Sequence, residues 1–183
     1  MIGPTSSLAD ICYAVAAALD QHLLPGVLTG GSAAALYAPH AYMSEDADFV
    51  LDGDPPLTLI ATALATIGYR REGRSRIFLH ESSAFTVDFP KGPLAVGADY
   101  IFESATFERG GMLLRVLSRT DSIRDRLAHY YYWNDFTALN AAVGVAASAP
   151  SEVDFDLIAR WTERESPALL AKYAEFRRRL AES

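Results

Sequence analysis

The sequence lacks the features that define several protein classes. Its 183 residues include one cysteine, Cys12, which excludes an intramolecular disulfide and cannot form a cysteine-based zinc site by itself. No apolar run approaches the roughly 18 to 20 residues that a membrane-spanning helix requires. The first residues also lack the basic-then-apolar pattern of a secretion signal. We therefore expect no membrane association and a cytoplasmic location.

Positive charge is also scarce. The chain has 16 lysines and arginines against 23 aspartates and glutamates, and its net charge of −7 argues against a broad nucleic-acid-binding surface. One local exception is the cluster Arg70, Arg71, Arg74 and Arg76. Its guanidinium groups could bind a triphosphate or an RNA backbone through bidentate contacts. The alternative interpretation is a solvated loop on an acidic protein.

Composition and periodicity predict one α/β domain followed by helices. Half of the residues are hydrophobic and 21% are charged, so the chain can bury a sizeable core. We expect an α/β domain over residues 1–117 and a helical segment over residues 118–183. The expected elements are a helix at 6–24, a strand before Gly30, a helix at 32–38, a strand at 46–51, a helix at 56–67, strands near 76–80 and 84–89, and two strands within 99–117 joined by a Gly110-Gly111 hairpin turn.

The segment Leu28–Leu51, LTGGSAAALYAPHAYMSEDADFVL, places a glycine turn ahead of two aspartates. Gly30 and Gly31 follow a short apolar strand and permit a tight turn with close approach of the backbone. The next residues predict a helix that begins at a serine cap, Ser32. Free N–H groups and the positive end of the helix dipole would then face an incoming phosphate.

The two aspartates, Asp46 and Asp48, lie in a run of strand-forming residues. Side chains alternate between the faces of a strand, so both carboxylates project from one side, about 6 to 7 Å apart. Paired carboxylates suit Mg²⁺, which usually shares its ligand shell between one or two carboxylates and substrate phosphates. The alternative is a plain glycine turn followed by the acidic edge of a surface strand that discourages aggregation.

The order GGS, thirteen intervening residues and DAD, followed by apolar Phe49 and Val50, resembles the signature of the polymerase-beta-like nucleotidyltransferase superfamily. The resemblance implies a mixed sheet with flanking helices and transfer of a nucleoside monophosphate from a triphosphate. It assigns nucleotide binding to the turn of Gly30, Gly31 and Ser32. It assigns catalysis and the binding of two Mg²⁺ (or Mn²⁺) ions to the aspartates of DAD, Asp46 and Asp48.

A third carboxylate is expected in this superfamily on a neighbouring strand. Residues 85–89, FTVDF, predict a strand that Pro90 terminates, and Asp88 interrupts its apolar run. An unpaired carboxylate in such a strand is costly unless a cation compensates it. We therefore expect Asp88 to complete the metal site. The alternative is that Asp88 only marks the exit of the strand into the following loop.

The segment 115–143, RVLSRTDSIRDRLAHYYYWNDFTALNAAV, resembles the C-terminal half of the AbiEii-like toxin branch of the nucleotidyltransferases. In that branch, a cap precedes a helix with a basic residue, and an aspartate heads the next helix. The resemblance assigns nucleotide binding to Arg126 and Asp135. It also implies an antitoxin protein as a partner and admits tRNA or another RNA as the acceptor.

This chain departs from the branch at Arg126, where lysine is common. Arginine can hold a phosphate oxygen bidentately but cannot carry a proton, so a phosphate-binding role survives and a general-acid role does not. The alternative is that Arg126 and Asp135 form an ion pair between helices, which contributes about 0 to 1 kcal/mol if exposed.

Four consecutive aromatic residues, Tyr130 to Trp133, follow His129 on the predicted helix. Aromatic faces stack on any nucleobase. Consecutive residues point around most of a helix circumference, so at most two of the four can face a ligand and the others belong to the core.

The sequence therefore predicts metal-dependent transfer of a nucleoside monophosphate from a triphosphate to a hydroxyl on RNA, protein or a small molecule such as an aminoglycoside. One alternative is a binding or regulatory protein that keeps the fold without catalysis. The other is an enzyme that uses the acidic cluster for hydrolysis and releases inorganic phosphate.

Overall fold

The protein is described over residues 2–183 by a computed structural model. Its helices are α1 (Leu8–Gln21), α2 (Gly30–Tyr37), α3 (Leu57–Ala65), α4 (Arg119–Trp133), α5 (Phe136–Ser148), α6 (Phe155–Glu165) and α7 (Leu170–Ala181), with 3₁₀ turns at Pro150–Glu152 and Pro167–Leu169. Its strands are β1 (Gly26–Thr29), β2 (Asp46–Leu51), β3 (Arg70–Arg71), β4 (Ile77–Leu79), β5 (Thr86–Asp88), β6 (Ala95–Val96), β7 (Asp99–Tyr100), β8 (Ala105–Arg109) and β9 (Met112–Val116). The predicted α/β fold class, with a mixed sheet, flanking helices and a helical C-terminal segment, is confirmed.

The main sheet has seven strands in the order β3-β4-β5-β2-β1-β9-β8. Strand β2 lies at its centre, antiparallel to β1 and parallel to β5. Strand β1 also pairs in parallel with β9, and the remaining pairs of this sheet are antiparallel. Strands β6 and β7 form a separate two-stranded ladder that the sequence did not predict.

Local sequence signals explain several ends of these elements. Ser7 and Asp10 form a reciprocal capping box at the start of α1, which satisfies backbone donors that the first turn leaves unpaired. Gly110 and Gly111 have φ values of +59° and +80° and connect β8 to β9, as a type I′ hairpin requires. Ser118 caps α4 by accepting a hydrogen bond from the backbone N–H of Asp121.

Two apolar cores stabilise the chain. The first lies between the sheet, α1 and α3, and the second lies among α4 to α7. The second core centres on Trp161, which is fully buried, but it also includes Ala34 of α2 and Val96 of β6. Burying a large apolar side chain stabilises by about 1.5 to 3 kcal/mol, so these contacts hold the helical segment against α2. Within residues 2–183, no helix is both long and apolar enough to cross a membrane.

The predicted serine cap of α2 is wrong. The helix begins at Gly30, and Thr29 is its N-cap residue, without a capping hydrogen bond from its side chain. The hydroxyl of Ser32 is buried one turn further on, where it donates to the carbonyl oxygen of Thr29 at 2.8 Å and accepts from the N–H of Asp48 at 3.2 Å. Ser32 therefore joins α2 to β2.

Candidate active site

At the start of α2, the glycine turn presents backbone atoms without side chains. Gly30 has a φ of +65°, in the left-handed region that favours glycine, and a Cβ at this position would collide with Oδ2 of Asp48. A Cβ at Gly31 would lie 3.0 Å from both Ser44 Oγ and Tyr42 Oη. Gly30 therefore favours a residue without a side chain, Gly31 leaves little room for one, and the N–H groups of the first turn stay open to a ligand.

Asp46 and Asp48 lie on the same face of β2. Ala47 and Phe49, which point to the opposite face, are fully buried in the first core, whereas both aspartates are half-buried. The carboxylate of Asp46 is oriented by Ser44, whose Oγ donates to Oδ1 at 2.8 Å. The alternation of the strand thus anchors one face in the core and presents two carboxylates on the other.

Asp88 lies beside Asp48 on the neighbouring strand. The parallel register pairs Asp48 with Asp88, and paired residues on adjacent strands are about 5 Å apart with their side chains on one face. Oδ1 of Asp88 accepts a hydrogen bond from the N–H of Phe89 at 2.7 Å. Asp88 is half-buried and does not line the cavity that Asp46 and Asp48 line.

Asp48 is destabilised in its ionised form. Burial raises the pKa of Asp48 to about 7, and the negative charges of Asp46 and Asp88 act in the same direction. The positive charge of Arg126 opposes this shift without cancelling it. A raised carboxylate pKa indicates that the ionised site lacks sufficient positive charge, which is the condition that a bound cation relieves.

The donor set fits a magnesium ion that shares its ligands with a substrate. Among residues 2–183 there is no group of three histidine, cysteine, aspartate or glutamate side chains placed to hold a metal ion by themselves. Two carboxylates, Asp46 and Asp48, do face one cavity. Mg²⁺ is commonly held by one or two carboxylates together with phosphates and water, so the residues present suit it.

The cavity over these carboxylates has a volume of about 520 Å³. One wall is the turn at Gly30 and Gly31 with β2, and the other is α4 and the start of α5. The α4 wall contributes Asp125, Arg126 and His129 to the lining. Burial and the charge of Arg126 lower the pKa of His129, so this imidazole is neutral at neutral pH.

Arg126 is the positive side chain of the α4 wall. It is 7% exposed, and its Nε and Nη2 donate to Oδ2 of Asp125 at 3.0 and 2.7 Å. The alternative of an Arg126–Asp135 ion pair is wrong, because Arg126 pairs with its neighbour Asp125 instead. Its charge nevertheless lowers the pKa of Asp48, so it acts on the carboxylate site.

Asp135 heads α5, as the sequence predicted. Asn134 adopts a left-handed conformation with φ of 53°, which ends α4 and turns the chain into the cap. Oδ1 of Asp135 accepts from the N–H groups of Thr137 at 2.9 Å and Ala138 at 3.1 Å. The hydroxyl of Thr137 is the main cause of a lowered pKa for Asp135, so this cavity-lining carboxylate is ionised.

The structure does not bring the arginine cluster to this cavity. Arg70 pairs with Glu81 on the surface, and Arg76 pairs with Asp54 at 2.9 Å. None of Arg70, Arg71, Arg74 and Arg76 lines the cavity.

Several lining residues carried no signal in the sequence. Tyr42 and Ser44 lie in the loop before β2 and come to the site because that loop folds back over Gly31. Lys91 follows Pro90 at the exit of β5 and supplies a second positive charge to the lining. Ser44 stands two residues before Asp46 in the sequence, but its hydrogen bond to that carboxylate depends on the fold of the loop.

A second, larger groove opens beside the cavity. It has a volume of about 810 Å³ and shares Val50, Pro93 and Leu94 with the carboxylate cavity. Its other walls include Tyr100 and Phe102, whose side chains are largely exposed. The site thus has two adjoining compartments.

Comparison with known proteins supports the fold and not a particular family. No protein-family model matches the chain, and no curated protein matches it in sequence. The solution structure of the antibiotic-resistance factor ANT(2'')-Ia aligns with a TM-score of 0.56 at 18% identity, covering 98% of this chain and 100% of that chain. A crystal structure of ANT(2'')-Ia in complex with adenylyl-2''-tobramycin aligns with a TM-score of 0.52 at 20% identity, over 91% and 98% of the two chains.

A third solved structure, an antigenic nucleotidyltransferase-like protein from Paracoccidioides brasiliensis, aligns with a TM-score of 0.58 at 13% identity. The alignment covers 92% of this chain and 93% of that chain. These alignments show that the chain has a nucleotidyltransferase fold.

Proposed function

We propose that the protein transfers a nucleoside monophosphate from a nucleoside triphosphate to an acceptor hydroxyl. The observation that carries the proposal is the placement of Asp46, Asp48 and Asp88 on one face of two adjacent strands, next to the uncapped start of α2. A carboxylate site deficient in positive charge and a helix N-terminus that attracts phosphate lie within one cavity. The fold shared with nucleotidyltransferases agrees with this chemistry.

Asp46 and Asp48 are the residues that would hold Mg²⁺, or Mn²⁺, and Asp88, on β5 and outside the cavity lining, would add its negative charge to the site. The metal supplies charge neutralisation at the α-phosphate and lowers the pKa of the attacking hydroxyl. Ser44 orients the carboxylate of Asp46, and Ser32 fixes the backbone N–H of Asp48 to α2, so the Asp46 carboxylate and the backbone of Asp48 are held in place before substrate binds.

The protein groups around the carboxylates have separable roles. The N–H groups of Gly30 and Gly31 bind the triphosphate, and Arg126 and Lys91 bring positive charge to phosphate oxygens and to the leaving pyrophosphate. Ser32 stabilises the turn through its hydrogen bonds to Thr29 and Asp48. The adjoining groove, which shares Val50 and Leu94 with the cavity, admits the acceptor.

Two acceptor classes have support. The sequence of residues 115–143 resembles AbiEii-like toxins, which favours an RNA acceptor, tRNA among them, and an antitoxin partner. The fold shared with ANT(2'')-Ia, which forms a complex with adenylyl-2''-tobramycin, favours an aminoglycoside. The net charge of −7 attracts a polycationic acceptor and repels a polyanionic one, so we favour the small-molecule class.

The test is incubation of the protein with each α-labelled triphosphate and Mg²⁺, in separate reactions with a total RNA pool and with tobramycin. We expect the label on an acceptor, pyrophosphate release in equal amount, and no transfer when EDTA removes the metal. The Asp46→Asn variant is the matched negative control.

The outcomes separate the alternatives. Release of inorganic phosphate without a labelled acceptor would indicate a hydrolase. Metal-dependent binding of triphosphate by calorimetry, without any turnover, would indicate a binding or regulatory protein. Absence of both binding and turnover would contradict the proposal.

A further inference from the structure

The structure divides the aromatic residues near the end of α4 into two groups. Tyr130 and Tyr131 are buried in the second core, at 5% and 4% exposure. Trp133 is 69% exposed, and its ring centroid lies 5.0 Å from that of His129. Since His129 lines the carboxylate cavity, the two rings, tilted by 55° to each other, form an aromatic surface that extends from the cavity wall to the exposed ring of Trp133, which lies outside the cavity lining.

This aromatic surface continues a line of side chains that begins at the phosphate-binding end of the cavity. Arg126, His129 and Trp133 are spaced by three and four residues on α4, so they lie on one face of the helix. Seven residues of helix span about 10 Å. Arg126 lies close enough to Asp48 to lower its pKa, and Trp133 therefore lies about 10 Å further along the helix.

We propose that His129 and Trp133 form the binding platform for the nucleobase of the triphosphate, with the phosphates at Arg126 and the glycine turn. The inference rests on the proposed function and assigns the orientation of the nucleotide within it. In a nucleoside triphosphate, a comparable distance separates the phosphates from the base. An exposed tryptophan packed against a neutral imidazole offers a face on which any base can stack.

A carboxylate oxygen lies between the two ends of this line. Asp135 lines the cavity near His129, and its charge acts on that imidazole. Its Oδ1 accepts the capping hydrogen bonds of α5, and within residues 2–183 no hydrogen bond to Oδ2 is formed. An ionised carboxylate only accepts hydrogen bonds, so Oδ2 suits the ribose hydroxyls of a nucleotide whose base lies on the platform.

The test compares binding of MgATP with binding of magnesium tripolyphosphate, which carries the phosphates without a base. Calorimetry on the full chain would measure both ligands for wild type, Trp133→Ala, Trp133→Phe and Tyr132→Ala. Tyr132 is the matched control, because it is an exposed aromatic neighbour whose hydroxyl bonds to Glu165 and whose ring packs edge-on against Trp133 rather than against His129.

We expect Trp133→Ala to weaken MgATP binding by about 5- to 150-fold, the range for loss of one base–aromatic stack. Trp133→Phe should recover most of the affinity, Tyr132→Ala should retain it, and tripolyphosphate should bind all four proteins equally. Tryptophan fluorescence gives a second readout: Trp161 is fully buried, so quenching by MgATP and not by tripolyphosphate reports on Trp133.

The outcomes distinguish this inference from the proposed function. Unchanged MgATP affinity in Trp133→Ala, with normal tripolyphosphate binding, would overturn the platform and leave the proposed function intact. An equal loss for MgATP and tripolyphosphate would overturn it too, since the defect would then be structural. Failure of wild type to bind either ligand would overturn both.

Discussion

Two cavities of nearly equal volume lie at opposite ends of α2, and they differ in chemistry. The carboxylate cavity, of about 520 Å³, has charged residues on both of its walls. The second cavity, of about 560 Å³, lies between the end of α2, α5 and α7, and small apolar residues such as Ala38, Ala41, Val143 and Gly144 line most of it. Volume alone therefore does not identify the functional site.

The difference lies in what holds each cavity open. The carboxylate cavity is maintained by oriented polar groups, such as Ser44 on Asp46 and Ser32 on the N–H of Asp48. The apolar cavity is bounded by the packing of small side chains and backbone between α2, α5 and α7. Substitutions in the first should therefore alter ligand binding more than folding, and substitutions in the second should do the opposite.

The largest effect is expected for Asp48→Asn. Under the proposed function Asp48 would hold the metal, and loss of such a carboxylate removes several kcal/mol of transition-state stabilisation, so transfer should fall by about a thousandfold or more. The measurement is α-label transfer in Mg²⁺, with circular dichroism on the same preparation to verify the fold. Transfer at the wild-type rate would show that the carboxylate cavity is not the site of catalysis.

The same variant should be more stable than wild type when no metal is present. The pKa of Asp48 is about 7 in the folded protein, against an ordinary value of 3.8 for an exposed aspartate, so the folded protein binds this proton more tightly than the unfolded chain does. The cost of ionising Asp48 is therefore absent below about pH 4, grows as pH rises, and is complete above about pH 7.

We expect the free energy of unfolding of Asp48→Asn to exceed that of wild type by about 2 to 3 kcal/mol at pH 8, below the limit of about 4 kcal/mol for a shift of this size, since Asp48 is partly solvated. This difference in the free energy of unfolding should disappear near pH 4, and Mg²⁺ should stabilise wild type only. Urea unfolding at both pH values, with and without Mg²⁺, measures this. A gap that does not depend on pH would show that the ionisation of Asp48 is not its cause.

Arg126→Ala should weaken triphosphate binding by about 1.5 to 3 kcal/mol, the range for a charge-assisted hydrogen bond, and Arg126→Lys should recover a substantial part. The matched control is Arg124→Ala. Arg124 is a buried arginine of the same helix that pairs with Asp121 and Asp99, outside the cavity. Its loss should lower the melting temperature and leave affinity unchanged. Equal effects of both substitutions on affinity would contradict a phosphate-binding role for Arg126.

The sequence predicted those features of the fold and the site that depend on local sequence pattern. Strand β2 occupies residues 46–51, as predicted, because alternation and β-branched or aromatic neighbours agree there. Ser118 and Asp135 head α4 and α5 because cap residues act within one turn. The turn glycines were also visible, and the structure gives Gly30 the left-handed φ.

The parts that the sequence did not predict depend on contacts between distant residues. The register that sets Asp88 beside Asp48 joins strands about forty residues apart, and no local pattern fixes it. The hydroxyl of Ser32 favours a cap by propensity, but burial against β2 gave it two other partners. Arg126 pairs with Asp125 and not with Asp135, a difference between rotamers that only the packed structure decides.

The smallest effects are expected from a glycine-to-alanine substitution in each cavity. These are Gly30→Ala in the carboxylate cavity and Gly144→Ala in the apolar cavity. In the apolar cavity, a Cβ at Gly144 would lie 2.5 Å from the Cβ of Ala41, so the added methyl overpacks α5 against the loop after α2. Overpacking costs about 1 to 3 kcal/mol, and the better helix propensity of alanine returns about 0.5 to 1 kcal/mol, which leaves a net loss of about 1 kcal/mol.

Triphosphate affinity should not change in Gly144→Ala, because the methyl lies in the other cavity. Gly30→Ala should lose a similar stability, since alanine disfavours a φ of +65° by about 1 to 2 kcal/mol, but its methyl is forced against the carboxylate of Asp48 and should also weaken triphosphate binding. Melting temperature and calorimetric affinity, measured for both variants, test the pair. A loss of affinity in Gly144→Ala equal to that in Gly30→Ala would show that α2 couples the two cavities. Substitutions in the apolar cavity would then affect ligand binding as well as folding.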